Sequence, residues 1–122
     1  MLEVQIFTLY PDLYPGLLDV GIYKKAKEQQ KWSLKIVDIR DYAFDNNRTV
    51  DDTPFGGGSG MLLKPDVVAS ALDKNIKSKE KIIYLSPKGK RLDQKKVKFL
   101  SKLKKINILC GHFEGVDQRL LE

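Results

Sequence analysis

The chain has 122 residues, of which 42% are hydrophobic and 31% charged, a size and composition that fit one folded domain and exclude a disordered chain. No apolar run approaches the roughly 18 residues of a membrane span, and Glu3 stands where a signal peptide carries basic residues, so we expect a cytoplasmic protein. One cysteine and one histidine exclude an internal disulfide and cannot complete a structural zinc site, so no metal is expected.

The net charge of +6 is concentrated in the second half of the chain. Residues 1–61 contain seven Lys/Arg against nine Asp/Glu, whereas residues 62–122 contain fifteen against seven. Between Lys74 and Lys105, thirteen basic residues stand with only two acids. This surface suits an anionic partner such as RNA. A lysine-rich solvated surface without a specific partner explains the pattern equally well, so charge leaves both interpretations open.

The first third of the chain predicts a strand, a helix and a second strand. Glu3–Thr8 alternates and is rich in β-forming residues, which predicts a strand. After Pro11 and Pro15, apolar residues recur at helical spacing. Trp32–Ile39 alternates apolar and polar residues, as in a strand with one covered face, and a long loop follows over Arg40–Gly60. The residues at helical spacing are Leu17, Leu18, Ile22 and Ala26.

The rest of the chain predicts two further helix and strand pairs. Asp66 is placed to cap one helix, and Lys81–Leu85 forms a short apolar strand after it. Asp93 is placed to cap a second helix, and the pattern of Ile106–Cys110 indicates a buried strand. A last helix is predicted near Val116. The positions expected to face inward are Val67, Val68, Ala71 and Leu72 in the first of these helices and Val97, Leu100 and Leu103 in the second.

The order of these elements predicts an α/β fold with an open, mostly parallel sheet, flanking helices and right-handed crossovers, in a single domain over residues 1–122. Ligands of such sheets bind beyond the carboxyl ends of the strands. Two glycine-containing loops follow predicted strands there, Ser86–Gly89 and Gly111–Gly115. They are candidates for close approach of backbone to a ligand, although ordinary turns between strand and helix have the same composition.

Phosphate-loop and hydrolase motifs are absent. The glycine run fails the dinucleotide pattern because Met61 holds its last position. Cys110 and His112 share one face of a strand but lie ~6 to 7 Å apart there, too far for a thiolate–imidazole pair. We therefore expect Cys110 to be a small core residue and His112 to be a turn residue.

A glycine-rich stretch lies within the long loop. Four of the nine glycines fall within residues 56–60, directly after Asp51, Asp52 and Pro54. A flexible tether would explain the glycines. It would not explain the two acids, the proline or the apolar Met-Leu-Leu that follows at residues 61–63.

Three stretches together resemble the bacterial tRNA (guanine-N1)-methyltransferases of the SPOUT, or α/β-knot, superfamily. They are RTVDDTPFGGGSGM at residues 48–61, IIYLSPKG at 82–89 and LCGHFEGVDQR at 109–119. The opening IFTLYPDLY fits as well, and the resemblance covers the whole chain in order. It implies a SPOUT α/β-knot fold and methyl transfer from S-adenosylmethionine to N1 of the guanine just 3′ of the tRNA anticodon, position 37. It also implies a homodimer with active sites at the subunit interface.

The resemblance also implies roles for individual residues. Glu114 would lie near the sulfonium of the cofactor and is the candidate catalytic residue within this chain. The loop that faces the tRNA would close over cofactor and guanine, with its acids accepting hydrogen bonds from the guanine edge. Its matching positions are Asp51, Asp52, Pro54 and Gly60. The positions that match the cofactor cradle are Tyr84, Leu85, Ser86, Pro87, Gly89, Gly111, Phe113, Glu114 and Gly115.

Four positions depart from the common family pattern, namely Ser59, Lys88, Phe113 and Gln118. Ser59 replaces a proline and loosens the loop, whereas Phe113 replaces a tyrosine and removes a hydroxyl.

The family also continues past Glu122 with the knot-threading segment, a linker, and a helical domain that binds tRNA. The aspartate that serves as the family's general base lies in that part. We therefore expect this chain to be an N-terminal portion without a knot and without activity alone. The alternatives are a non-catalytic RNA-binding module that uses the lysine-rich residues 74–105, and an interaction domain whose glycine loop is a tether.

Overall fold

The computed structural model describes residues 1–44, 51–52, 62–77, 79–85 and 89–110, with the backbone alone for residues 51–52 and 62–63. Apart from two short strands at residues 51–52 and 62–63, the described strands and α-helices alternate, as the sequence predicts. The first of these short strands lies within the predicted loop Arg40–Gly60. The strands are β1 (Leu2–Thr8), β2 (Trp32–Asp38), β3 (Asp51–Asp52), β4 (Leu62–Leu63), β5 (Ile82–Tyr84) and β6 (Lys105–Leu109). The helices are α1 (Gly21–Glu28), α2 (Pro65–Asn75) and α3 (Gln94–Ser101).

Four parallel strands form the main sheet in the order β2-β1-β6-β5. The first strand is central, with Ile6 aligned to Ile36 on one side and Ile108 on the other. This arrangement confirms the predicted open parallel α/β sheet. The two short strands β3 and β4 form a separate antiparallel pair.

One face of the sheet holds the buried core because α2 packs across it. Side chains alternate along a strand, so Phe7, Val37 and Leu109 project from the same face of three neighbouring strands. Val67, Val68 and Ala71 of α2 are fully buried against them. These residues, with Leu9 and Ile39 at the strand ends, form a single apolar cluster.

A polar network extends this face toward the amino ends of the strands. The Gln5 Nε2 atom donates hydrogen bonds to Asn107 Oδ1 at 2.8 Å and to the Asn75 carbonyl at 3.1 Å. Asn107 Nδ2 donates to Glu80 Oε2 at 3.2 Å, and Lys105 Nζ lies 3.3 Å from the same oxygen. The network joins α2 and the residues before β5 to the two central strands.

Two predicted helix starts are wrong. Leu17 and Leu18 lie in a short 3-10 helix (Gly16–Asp19), and α1 begins only at Gly21. Gly21 has a φ of +59°, which the interior of a right-handed α-helix does not allow, so one continuous α-helix cannot run from Leu17 into α1. Lys64, and not Asp66, is the N-cap residue of α2, because Pro65 occupies the first turn, where its fixed φ and missing N–H are tolerated.

The third helix fits its prediction only in part. Asp93 caps it as predicted, since its Oδ1 accepts from the Lys96 backbone N–H at 2.8 Å. The spacing predicts that Val97 faces inward, but it is 42% exposed, whereas Leu100 and Leu103 are half-buried. The helix ends at Ser101, so Leu103, which the spacing places in it, lies after its end. The helix predicted near Val116 lies outside the described residues.

Within the described ranges, no helix combines the length and apolar character needed to cross a membrane.

Candidate functional site

The two predicted cradle loops start side by side at the carboxyl edge of the sheet. β5 ends at Tyr84 and β6 ends at Leu109, and these two residues are aligned partners of adjacent parallel strands. The chain therefore leaves the sheet toward Leu85 and toward Cys110 at neighbouring points. Parallel α/β sheets bind their ligands at this edge.

An open groove of about 1190 Å³ runs between α3 and the two strands β5 and β6. Its floor comes from the sheet face opposite to the α2 core, where Ile83, Ile106 and Ile108 project. Its other wall comes from α3 and the residues before it. The lining residues are Lys81, Ile83, Tyr84, Leu85, Gly89, Lys90, Leu92, Lys96, Phe99, Leu100, Ile106 and Ile108.

Three of the predicted cofactor residues lie together in this lining, and they differ in exposure. Tyr84 is half-buried because it also packs against the apolar cluster beneath α2. Leu85 is 75% exposed, and Gly89 is exposed as well. Leu85 can therefore offer an apolar surface, and Gly89 an uncovered backbone, to a flat ligand.

The described groove lining is apolar with a positive charge. Lys81, Lys90 and Lys96 contribute ammonium groups, and the lining contains no acidic residue among those described. The exposed apolar side chains of Leu92 and Phe99 lie in the same lining. Such a surface favours a ligand with a flat apolar part and an anionic group.

A contact between distant parts of the chain lies at the end of β6. The Tyr14 hydroxyl is 3.4 Å from Cys110 Sγ, a hydrogen bond between residues 96 positions apart. The Cys110 backbone N–H donates to the Phe7 carbonyl at 2.9 Å. The hydrogen bond to Cys110, together with burial and the electrostatic effect of the thiol, raises the pKa of Tyr14 to about 12. Cys110 is half-buried, so it lies at the rim of the core and not inside it.

The glycine-rich stretch is bounded by the antiparallel pair β3 and β4. Asp51 is aligned with Leu63 and Asp52 with Leu62. The chain therefore enters and leaves residues 53–61 at adjacent points, which a free tether would not require. Two of the predicted RNA-facing positions, Asp51 and Asp52, are thus in a strand.

The remaining predicted site residues lie outside the described residues. Among the described residues, no group of three or more His, Cys, Asp or Glu is placed to hold a metal ion. The undescribed positions are Ser86, Pro87, Gly111, Phe113, Glu114 and Gly115 of the predicted cradle, and Pro54 and Gly60 of the predicted RNA-facing loop.

The sequence patterns did not predict that α3 forms a wall of the groove, nor that Tyr14 contacts Cys110. The amphipathic pattern of α3 could have indicated that Phe99 and Lys96 flank a site, because they lie next to the inward-facing Leu100. No local pattern could have paired Tyr14 with Cys110, since the two are far apart in sequence.

Comparison with known proteins gives consistent matches along the whole chain. The family model described as "tRNA (Guanine-1)-methyltransferase TrmD" matches residues 2–122. Proteins named tRNA (guanine-N(1)-)-methyltransferase from Pelagibacter ubique and Rhodospirillum rubrum are 61% and 45% identical, in each case over 99% of this chain. The chain covers 53% and 51% of these two relatives.

A solved structure shows the same fold. The crystal structure of tRNA (m1G37) methyltransferase from Aquifex aeolicus superimposes with a TM-score of 0.83 at 34% identity, over 98% of this chain and 55% of that one. The chain spans about half the length of the curated relatives that it matches. From the family match over residues 2–122, the 61% identity and the shared fold, we conclude that this chain belongs to the tRNA (guanine-1)-methyltransferase family.

Proposed function

We propose that the chain is the N-terminal, cofactor-binding portion of a tRNA (guanine-N1)-methyltransferase. The substrate would be the guanine 3′ of the anticodon, position 37, and the methyl donor S-adenosylmethionine. The names of the relatives, and the m1G37 specificity named for the Aquifex aeolicus enzyme, support this substrate. The full-length enzyme would be cytoplasmic and would act as a homodimer.

The groove lining is the observation that carries this proposal. The sequence motif assigns Tyr84, Leu85 and Gly89 to the cofactor, and all three line one groove beside the carboxyl edge of the sheet. Adenine would lie against Leu85 and the backbone near Gly89, because both surfaces are exposed and apolar or uncharged. Lys90 or Lys96 would pair with the carboxylate of the cofactor.

The described residues meet only some of the requirements for binding the cofactor. We assign the remaining one, a negative charge near the sulfonium, to Glu114. The cofactor supplies an electrophilic methyl group on a sulfonium. The positive charges of the lysines in the groove disfavour binding of the positively charged sulfonium. A carboxylate near the sulfonium must therefore offset these charges. Glu114 follows β6 and is the acid that we assign to this task.

The chain alone would bind the cofactor but would not methylate tRNA. Guanine N1 keeps its proton at neutral pH, so transfer requires a general base. We assign that base to the part of the enzyme that corresponds to the second half of the relatives, which this chain does not cover. The two acids of β3 would instead accept hydrogen bonds from the guanine edge.

Calorimetric titration with S-adenosylhomocysteine tests the cofactor assignment. We compare the parent chain with Leu85→Ala and Gly111→Val. Leu85 is 75% exposed, so its truncation should weaken binding about tenfold with little effect on folding. A valine at position 111 should abolish binding, because it obstructs the close approach of backbone to ligand.

Leu17→Ala is the matched control for this titration. Leu17 is 84% exposed and lies outside the groove, so its truncation should leave the affinity unchanged. Equal affinities for the parent chain and Leu85→Ala would rule out this groove as the adenine site.

A second candidate is an RNA-binding module without cofactor binding, and exposed lysines on and after α3 favour it. Lys95, Lys98, Lys102 and Lys104 are all exposed, and they lie next to the groove wall. Measuring the salt dependence of binding to an anticodon stem-loop RNA separates the two candidates. Salt-sensitive RNA binding without any binding of S-adenosylhomocysteine would favour the RNA-binding module.

A further inference from the structure

The helix α3 carries a row of exposed lysines. Lys95, Lys98 and Lys102 stand at positions i, i+3 and i+7, so they lie along one side of the helix and its last turn. None of the three pairs with an acid among the described residues. Residues 89–110 contain eight Lys/Arg and one acid, Asp93, whose carboxylate is already used to cap the helix. The row therefore offers an uncompensated positive charge to an anionic partner.

Phe99 is an exposed aromatic side chain beside this row. It is 55% exposed, and it stands four residues after Lys95 and three before Lys102, which makes both lysines its neighbours on the helix surface. The cation–π contacts in the described part of the chain lie elsewhere, at Trp32 and Tyr42, so neither lysine covers the Phe99 ring there. An open ring between two cations combines the two components of single-strand RNA binding, base stacking and phosphate pairing.

We propose that Phe99 is a stacking site for an unpaired base of single-stranded RNA, with Lys95 and Lys102 pairing with the phosphates on either side of that base. Loops of folded RNA present their bases in this unpaired form. The inference goes beyond the proposed function, because it adds an RNA contact on α3 to a chain that also binds the cofactor. It does not depend on the cofactor assignment.

The pattern of α3 favours RNA over an anionic membrane as the partner. A helix that lies on a membrane presents a continuous apolar face next to its lysines. In α3, Leu100 is half-buried, and the exposed side chains of Val97 and Phe99 stand two positions apart, on different sides of the helix. A single exposed ring between lysines provides a surface for one base but little area for insertion into lipid.

Fluorescence anisotropy with a labelled single-stranded RNA of about ten nucleotides, without cofactor, tests the proposal. Phe99→Ala should weaken binding about tenfold, whereas Phe99→Trp should retain the parent affinity because it keeps a ring for stacking. Phe99→Ala should leave the slope of log affinity against log salt concentration unchanged, since it removes no charge. The double variant Lys95→Gln with Lys102→Gln should make that slope shallower by about 0.7 for each lysine.

Matched controls separate these effects from folding and from net charge. Val97→Ala truncates a side chain on the same helix that is 42% exposed, and it should leave the affinity unchanged. Lys24→Gln with Lys25→Gln removes the same charge from exposed positions on α1, and it should leave the salt slope unchanged. A duplex of the same RNA sequence should bind the parent chain and Phe99→Ala equally, because its bases are already stacked on one another.

Three outcomes would overturn the proposal. One is an equal loss of single-stranded and duplex RNA binding in Phe99→Ala, which would make the ring merely structural. Another is an equal change of salt slope in the α1 control, which would make the lysines of α3 unspecific. The third is binding to phosphatidylserine vesicles that depends on Phe99 while RNA binding does not, which would assign the surface to a membrane.

A failure of the cofactor assignment is distinguishable from a failure of this inference. If the parent chain binds no S-adenosylhomocysteine but its RNA binding depends on Phe99 as expected, the stacking site is supported and the cofactor assignment fails.

Discussion

At the scale of single residues, the described part of the chain contains two polar groups whose pKa values are shifted by identified neighbours. Glu80 is half-buried, and burial alone would raise the pKa of its carboxyl group. The pKa of Glu80 is nevertheless lowered, because other interactions outweigh burial. These are hydrogen bonds from Asn107, Lys105 and the Lys77 backbone, and the charge of Lys105. Tyr14 shows the opposite shift, because its bond to Cys110 favours the protonated hydroxyl.

Replacing Glu80 by Gln should reduce stability at neutral pH by about 1 kcal/mol, since the charge-assisted bonds to Asn107 and Lys105 are lost. The lowered pKa means that the carboxylate stabilises the fold above its ordinary value of 4.5, and this contribution is lost as pH falls through the lower folded value. Urea unfolding at neutral and acidic pH measures the difference, which should disappear in acid. Glu28→Gln, at an exposed position on α1, is the matched control. A difference that does not depend on pH would contradict the ionic role of Glu80.

Replacing Tyr14 by Phe should change how the free energy of unfolding depends on pH at alkaline pH. Because the folded pKa of about 12 lies above the ordinary value of 10.0, the hydroxyl stabilises the fold below pH 10.0. This contribution is lost as pH rises from 10.0 to about 12. The stability of the parent chain should therefore fall more steeply than that of Tyr14→Phe over this interval. Identical profiles in urea unfolding would argue against the Cys110 bond.

At the scale of elements, local sequence patterns predicted features that depend on neighbouring residues, such as a helix cap. They failed for features that depend on packing between elements, such as which helix residues are buried. Asp93 is identifiable as an N-cap from sequence because capping involves only the next three residues. The spacing of Val97 predicts an inward side chain, yet α3 flanks an open groove and leaves it 42% exposed. The existence of a parallel sheet was predictable from element order. The side-by-side start of the two predicted cradle loops was not predictable, because it depends on β5 pairing with β6 through contacts distant in sequence.

Replacing Asp93 by Ala should destabilise the fold by about 1 kcal/mol, because the backbone N–H of Lys96 loses its acceptor. Thermal or urea unfolding checks this value. Asp73→Ala is the matched control, since Asp73 is exposed near the end of α2, where it caps nothing and where alanine favours the helix. Equal stability losses in the two variants would show that the Asp93 cap contributes nothing specific.

At the scale of the whole molecule, the chain corresponds to about half the length of its relatives. Its described residues supply an apolar, basic groove that runs along β5 and β6 beside α3. They do not supply a general base at that groove. The position of the groove was predictable because three lining residues belong to a recognisable motif. Its wall on α3 was not, because Leu92 and Phe99 belong to no motif.

We predict that the 122-residue chain transfers no methyl group to a tRNA anticodon stem-loop, because the base that we assign to the guanine N1 proton belongs to the part of the relatives that this chain does not cover. Fusing the second half of the Pelagibacter ubique relative after Glu122 should restore transfer, since that protein is 61% identical to this chain. Labelled S-adenosylmethionine provides the assay. The same fusion with Gly111→Val should be inactive, and transfer by the unfused chain would contradict the prediction.

The central place of β1 has a consequence for synthesis. β1 is synthesised before both of its neighbours, β2 and β6, so one of its two edges stays unpaired until Leu109 has been made. Until then the nascent chain carries an open strand edge with Ile6 and Phe7 beside it, a template for pairing with other chains. Translation that stalls before Lys105 should therefore yield aggregation-prone products, whereas a chain extended through β6 has closed that edge.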